Sequence, residues 1–170
     1  MTRFDLRPIL PSPKTVLEAI ATPQTVIPHR RPELITGLQE LHGLHLAYRK
    51  AATDLATEGM SEPVLRAAST AVSRLAAAVE DTIFEIDDTI ARRLASHVGT
   101  SIKAPLHTES VGAILSRLAV LWIEVDAHRD GTEHLPEAIE LFELLGAYGA
   151  LRDAVTSGER QLPTARRPRH

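Results

Sequence analysis

The chain is predicted to be all-α: an elongated antiparallel bundle of four main helices with one short helix ahead of them. Three features of the sequence carry that prediction. Apolar residues recur at spacings of three and four through every long segment, the period of one helix face. No segment sustains the apolar–polar alternation of a strand. Proline and glycine fall between the periodic segments and cut them into helix-length pieces.

Residues 1–12 read as an irregular arm interrupted by Pro8 and Pro11, with Phe4, Leu6, Ile9 and Leu10 available to pin it to the bundle. Ser12 before Pro13 is a helix start, an N-cap followed by proline at the first helical position. Val16, Leu17 and Ile20 then give a short amphipathic helix to about Ala21. The second helix is expected from about Pro32 to Thr57, with a seam of Leu34, Leu38, Leu41, His45, Tyr48, Ala52 and Leu55. After a turn at Gly59, the third runs from about Ser61 to His97 on a stripe that includes Leu65, Ala68, Val72, Val79, Ile86 and Ile90. At 1.5 Å per residue it is roughly 50 Å long, so the bundle should be elongated.

The stretch from Leu106 to His128 carries the fourth helix and the chain's single tryptophan. Thr108 is expected as its N-cap, Glu109 just inside as a complement to the helix dipole, and Trp122 in the core. Arg117 and Glu124 fall on the flank of its apolar stripe. The fifth helix, about Pro136 to Ser157, presents Ile139, Leu141, Phe142, Leu145, Tyr148, Leu151 and Val155 and stops at Gly158. Gly146 and Gly149 within it suggest a close helix crossing. One domain, residues 1–158, is therefore expected, with residues 159–170 as a disordered basic tail.

Composition narrows the function classes. Of 170 residues, 44% are hydrophobic but only 4% aromatic, so the core is aliphatic and stacking platforms for bases are scarce. A formal charge of −3 gives no general attraction for phosphate backbones, and nucleic acid is not an expected partner. There is no cysteine, which excludes thiolate metal sites and a cysteine nucleophile. With neither an apolar leader nor a membrane-length apolar run, a cytoplasmic location without membrane association is expected. Ser110 and Ser116 lack a nucleophile elbow, and no glycine-rich loop offers a phosphate cradle. The Glu-x-x-His pairs of a di-iron bundle are missing too. His42 and His45 are spaced to project side by side, yet His45 fits better as a hydrogen-bonded core histidine, so no metal or other cofactor is expected.

The run Thr108-Glu109-Ser110-x-Gly112 followed by Arg117-Leu118-Ala119-Val120-Leu121 resembles the hallmark of an uncharacterised bacterial family, domain of unknown function 4254. Leu41-His42 with His45 resembles that family's Leu-His-x-x-Asn element, and Asp81, Ile83, Ile86 and Asp87 its Asn-Asp-x-Ile-Glu-x-Ile-Asp element. The likeness spans roughly residues 30–160. The chain departs from the pattern at Ser116 (Asp in the family), at His45 and Glu80 (Asn) and at Phe84 (Glu). The family brings no assigned chemistry.

The candidate site residues are thus His42, His45, Glu80, Asp81, Asp87, Glu109 and Arg117, drawn from three helices. One reading makes them an inter-helix network in which Arg117 forks onto Asp87 and His42 bridges to another carboxylate. The other makes them a polar pocket of a metal-independent enzyme or small-molecule binder, with a histidine, a carboxylate and an arginine. The first is preferred, because pairs of this kind are common at helix flanks. The protein is then expected to be a non-catalytic interaction or accessory module, a homodimer or bound to a protein partner. An overhang of the long third helix, with Ala67, Ala71 and Ala78 near its surface, is the expected docking place.

Overall fold

The computed structural model describes residues 9–27, 32–97, 104–129 and 135–163. They form five helices: α1 (Pro13–Ala21), α2 (Pro32–Ala56), α3 (Glu62–His97), α4 (Val111–Ala127) and α5 (Pro136–Thr156). Among the described residues there is no strand, only an isolated bridge between Leu106 and Gln161. The four longer helices pack together, and none is long and apolar enough to cross a membrane.

The central helix is α4, which touches all of the others. Its sequence is apolar nearly all round, and accordingly Val111, Ile114, Leu115, Leu118, Ala119, Leu121 and Ile123 are all buried. The α2–α3 hairpin, turning at Gly59 with φ of 81°, lies against it. So do α1 and α5, which also touch one another, whereas α3 and α5 do not meet.

The short α1 plugs one end of this arrangement. Ser12 caps it as expected, its hydroxyl accepting from the Thr15 amide at 3.1 Å. Ile9 and Leu10 of the arm are buried, and α1 adds Val16, Ala19 and Ile20 to the core. Phe4 and Leu6 lie outside the described residues. The arm is tied to α5 by the Tyr148 hydroxyl, which donates to the Pro11 carbonyl at 2.9 Å, and by Arg152 Nε, which donates to Leu10 O at 3.2 Å. Gly149 admits Pro13, whose Cγ would lie 3.1 Å from an added Cβ. Gly146 faces open space instead, so the crossing predicted for both glycines belongs to Gly149 alone.

Several expectations are corrected by the packing. The fourth helix starts at Val111 rather than near Thr108, and its cap is Ser110, whose Oγ accepts from the Ala113 amide at 3.2 Å. Residues ahead of it are held extended: His107 N–H donates to Gln161 O at 2.8 Å and Gln161 N–H to Pro105 O at 3.1 Å. That pairing also fixes residues 159–163, which were expected to begin the disordered tail. Residues 164–170 lie outside the described part. Trp122 is half-buried at the edge of the core, with the Arg129 guanidinium 5.8 Å from its ring centroid. On α5, Ile139 and Phe142 face solvent at 59% and 65% exposure, because α4 and α1 cover only the side that carries Leu141, Leu145 and Tyr148. The α2 seam is buried through Leu34, Leu38 and Leu41, but Tyr48 and Leu55 are each 37% exposed.

The tightest contact between helices is at Gly112. A Cβ there would sit 2.7 Å from the Ile83 carbonyl oxygen and 3.1 Å from Asp87 Oδ1, so α3 and α4 are closer than any side chain allows. Gly112→Ala should therefore destabilise the protein by about 1–3 kcal/mol through overpacking. Gly146→Ala should be neutral or stabilise by roughly 0.4–1 kcal/mol, by removing unfolded-state freedom. Urea unfolding of both variants is the check, and equal effects would refute the close crossing.

Candidate functional site

The structure distributes the seven sequence-predicted site residues over three places instead of gathering them in one. The first is the α3–α4 crossing. Asp87 is half-buried on α3, and its Oδ1 accepts from the Gly112 amide at 2.7 Å while the Ser110 hydroxyl also donates to the carboxylate. An amide in the first turn of a helix has no partner within that helix, and the positive end of the dipole favours an anion there. Asp87 thus caps α4 from another helix. Burial pushes its carboxyl above the ordinary range, and the two hydrogen bonds oppose that shift without cancelling it.

The second place is the outer face of α4's first turns. Arg117 does not reach Asp87. It is exposed, with Nη1 3.3 Å from Glu109 Oε2 and Nη2 3.4 Å from Glu140 Oε1 at the start of α5. The physical reason is position: Arg117 stands on the exposed side of α4 with Glu109 and Glu140, whereas Asp87 is turned into the α3–α4 crossing. An exposed pair of this kind contributes roughly 0–1 kcal/mol. Glu80 and Asp81 are exposed on α3.

The third place lies between α2 and α4. His45 Nε2 and Ser116 Oγ are 2.7 Å apart, with Ser116 only 7% exposed. His45 is the hydrogen-bonded histidine its position in an apolar seam suggested. Burial pulls its imidazole below the ordinary value, and the neighbouring His42 adds to the shift. His42 is lowered by its own burial, opposed by the nearby Asp126 carboxylate. The inter-helix bridge expected of His42 is therefore a through-space attraction to Asp126, which itself pairs with Arg129 at 2.6 Å.

Beyond this dyad opens a groove of about 620 Å³ lined by Tyr48, Arg49, Ala52, Ala56, Val120 and Ile123. Arg49 closes its rim by donating to Ile123 O at 3.3 Å and pairing with Glu124 at 3.3 Å. The dyad has the separation of a nucleophile and its base, but Ser116 lies within a helix whose neighbouring amides serve the helix itself. Those amides are therefore not free to serve as oxyanion donors. Among the described residues, no three His, Asp or Glu side chains come together as metal ligands.

Sequence reasoning missed Ser110, Gly112, Ser116 and Glu140 as partners. Ser110 carried a usable signal, a hydroxyl one residue ahead of the first deeply buried position, Val111. No family model, no curated protein and no solved structure matches this chain.

The histidines give a pH dependence whose sign follows from their lowered values. The unfolded chain binds protons more readily near the ordinary histidine value of 6.5, so stability rises with pH through that region and is lost on acidification below it. Asp87 acts oppositely: its raised value means that stability is lost as pH rises through it, in a window above 3.8. The difference between wild type and His45→Gln isolates the histidine part. Urea unfolding from about pH 7.5 to about pH 5.5 should show a smaller loss in the variant than in the wild type. Parallel pH profiles would refute the assignment.

Proposed function

We propose that this chain is a non-catalytic helical-bundle interaction or accessory module that associates with a second copy of itself through the free half of its α2–α3 hairpin. The observation that carries the reading is apolar surface that no other part of the described chain covers. Leu46, Tyr48, Leu55 and Val64 are 37–51% exposed. Small side chains accompany them: Ala52 and Ala56 in the α2 groove, Ala67 and Ala71 along α3. Small residues allow a second pair of helices to approach closely, and an apolar patch of this kind marks an association surface.

A second copy is favoured as occupant because a twofold interface sets a patch against itself. The hairpin carries both signs already paired, Lys50 with Asp54 at 2.8 Å and Arg66 with Glu62 at 2.5 Å, so self-docking brings no net repulsion. The other exposed apolar pair, Ile139 and Phe142 on α5, stands beside Glu143, which among the described residues has no cation paired to it, and two copies of that face would bring these like charges together. The placement of Ser116 within α4, whose amides are taken up in the helix itself, supports the non-catalytic part.

Membership of the family called domain of unknown function 4254, a bacterial source and a cytoplasmic location belong to the same proposal. Two departures from that family's pattern, His45 and Ser116, touch one another, as a paired substitution would. Ser110 and Gly112 of the hallmark have packing roles at the α3–α4 crossing, which accounts for a shared motif without shared chemistry.

Size-exclusion chromatography with light scattering should give twice the 18.6 kDa chain mass. Tyr48→Glu and Leu55→Glu should each raise the dimer dissociation constant by about tenfold or more, whereas Ile139→Glu should not. A monomer at all concentrations, or a dimer indifferent to the hairpin variants, overturns the proposal.

A further inference from the structure

A separate cavity of about 240 Å³ lies between α3, the start of α4, the end of α5 and the returning segment 160–163. Its wall is mainly aliphatic, with Ile90, Leu94, Val111, Val155 and Leu162 among its lining, and Asp87 and Arg160 bring opposite charges to it. Among the described residues, no ion pair joins either charge to the other or to a third residue. A carboxylate offers about four acceptor positions. The Gly112 amide and the Ser110 hydroxyl, both uncharged donors, occupy only part of that capacity. Arg160 presents a guanidinium, the planar fork that matches a carboxylate.

An anion and a cation held apart on one mostly apolar wall call for a ligand with the complementary pair and an apolar body. The cavity is smaller than the roughly 300–1,000 Å³ of sites for drug-sized molecules, which limits the ligand to a small metabolite. We propose that this cavity binds a free aliphatic α-amino acid, its ammonium on Asp87, its carboxylate on Arg160 and its side chain against Ile90, Leu94 and Val155. The backbone pairing of Gln161 with Pro105 and His107 ties the Arg160 side of the cavity to the segment leading into α4, so occupation bears directly on the α3–α4 crossing. This site is independent of the hairpin surface and stands or falls apart from dimer formation.

The test is an amide-resolved NMR titration of the isotope-labelled full chain with L-leucine and with its two half-molecules, isoamylamine and isocaproate. Leucine should shift the Gly112 and Gln161 amides saturably, and each half-molecule should bind about tenfold more weakly or worse. Arg160→Ala should reduce leucine to the affinity of isoamylamine without changing isoamylamine itself. Asp87→Asn, which keeps an oxygen for the Gly112 amide, should reduce leucine to the affinity of isocaproate. Arg160 is exposed and makes no ion pair among the described residues, so its variant decides the matter even where Asp87→Asn fails to fold. The proposal is overturned by no saturable shift from leucine, by leucine binding that Arg160→Ala leaves intact, or by a half-molecule that binds as tightly as leucine.

Discussion

Where α4 begins, its backbone is pressed against α3 so closely that only glycine fits at position 112, and the Asp87 carboxylate crosses over to take that residue's amide. A single acidic side chain thereby does for α4 what a local cap alone does for α1. The consequence is positional. α4 touches every other helix, so fixing its first turn on α3 sets where its apolar residues meet α2, α1 and α5. The carboxylate is held there at a cost, since burial disfavours its charge while the amide and hydroxyl donors offset part of that penalty.

From this crossing the rest of the molecule divides in two. On one side, the arm, α1 and α5 close around α4 with apolar contacts and a few buried hydrogen bonds, of which the one from Tyr148 to Pro11 is the deepest. Burial also pushes the Tyr148 phenol up, so it remains a neutral donor. On the other side, α2 and α3 are longer than α4, and Arg49 already meets Ile123 and Glu124 near α4's end. The hairpin beyond that level has only its two helices to pack against each other. A 36-residue α3 against a 17-residue α4 leaves apolar surface over, and the proposed self-association follows from that mismatch of lengths.

Much of this was legible in the residues. Periodicity located all five helices, Ser12–Pro13 marked the start of α1, and Gly158, with φ of 78°, marked the end of α5. The candidate site was legible only as a set of positions. A helical wheel places Arg117 and Asp87 on flanks, but which flank faces which neighbour depends on the crossing, and the crossing depends on a glycine whose role is invisible in one dimension. Thr108 and Ser110 are both plausible caps. The choice between them was made by the pairing of residues 105–107 with Gln161, far along the chain. Likewise His45 and Ser116 are 71 residues apart, and nothing local joins them. Ile139 and Phe142 fit the apolar period of α5 but lie outside the arc that α4 and α1 cover.

The position of α4 depends on the Gly112 amide being held by Asp87, and native-state hydrogen exchange reads that bond directly. First-turn amides normally exchange readily because they have no partner within the helix. The first turn of α5, whose N-cap residue Leu135 makes no side-chain cap bond, supplies an internal reference at Glu137. The Gly112 amide should exchange far more slowly than that of Glu137, close to the limit set by global unfolding. Exchange at Gly112 as fast as at Glu137 would contradict the crossing as the feature that sets the bundle.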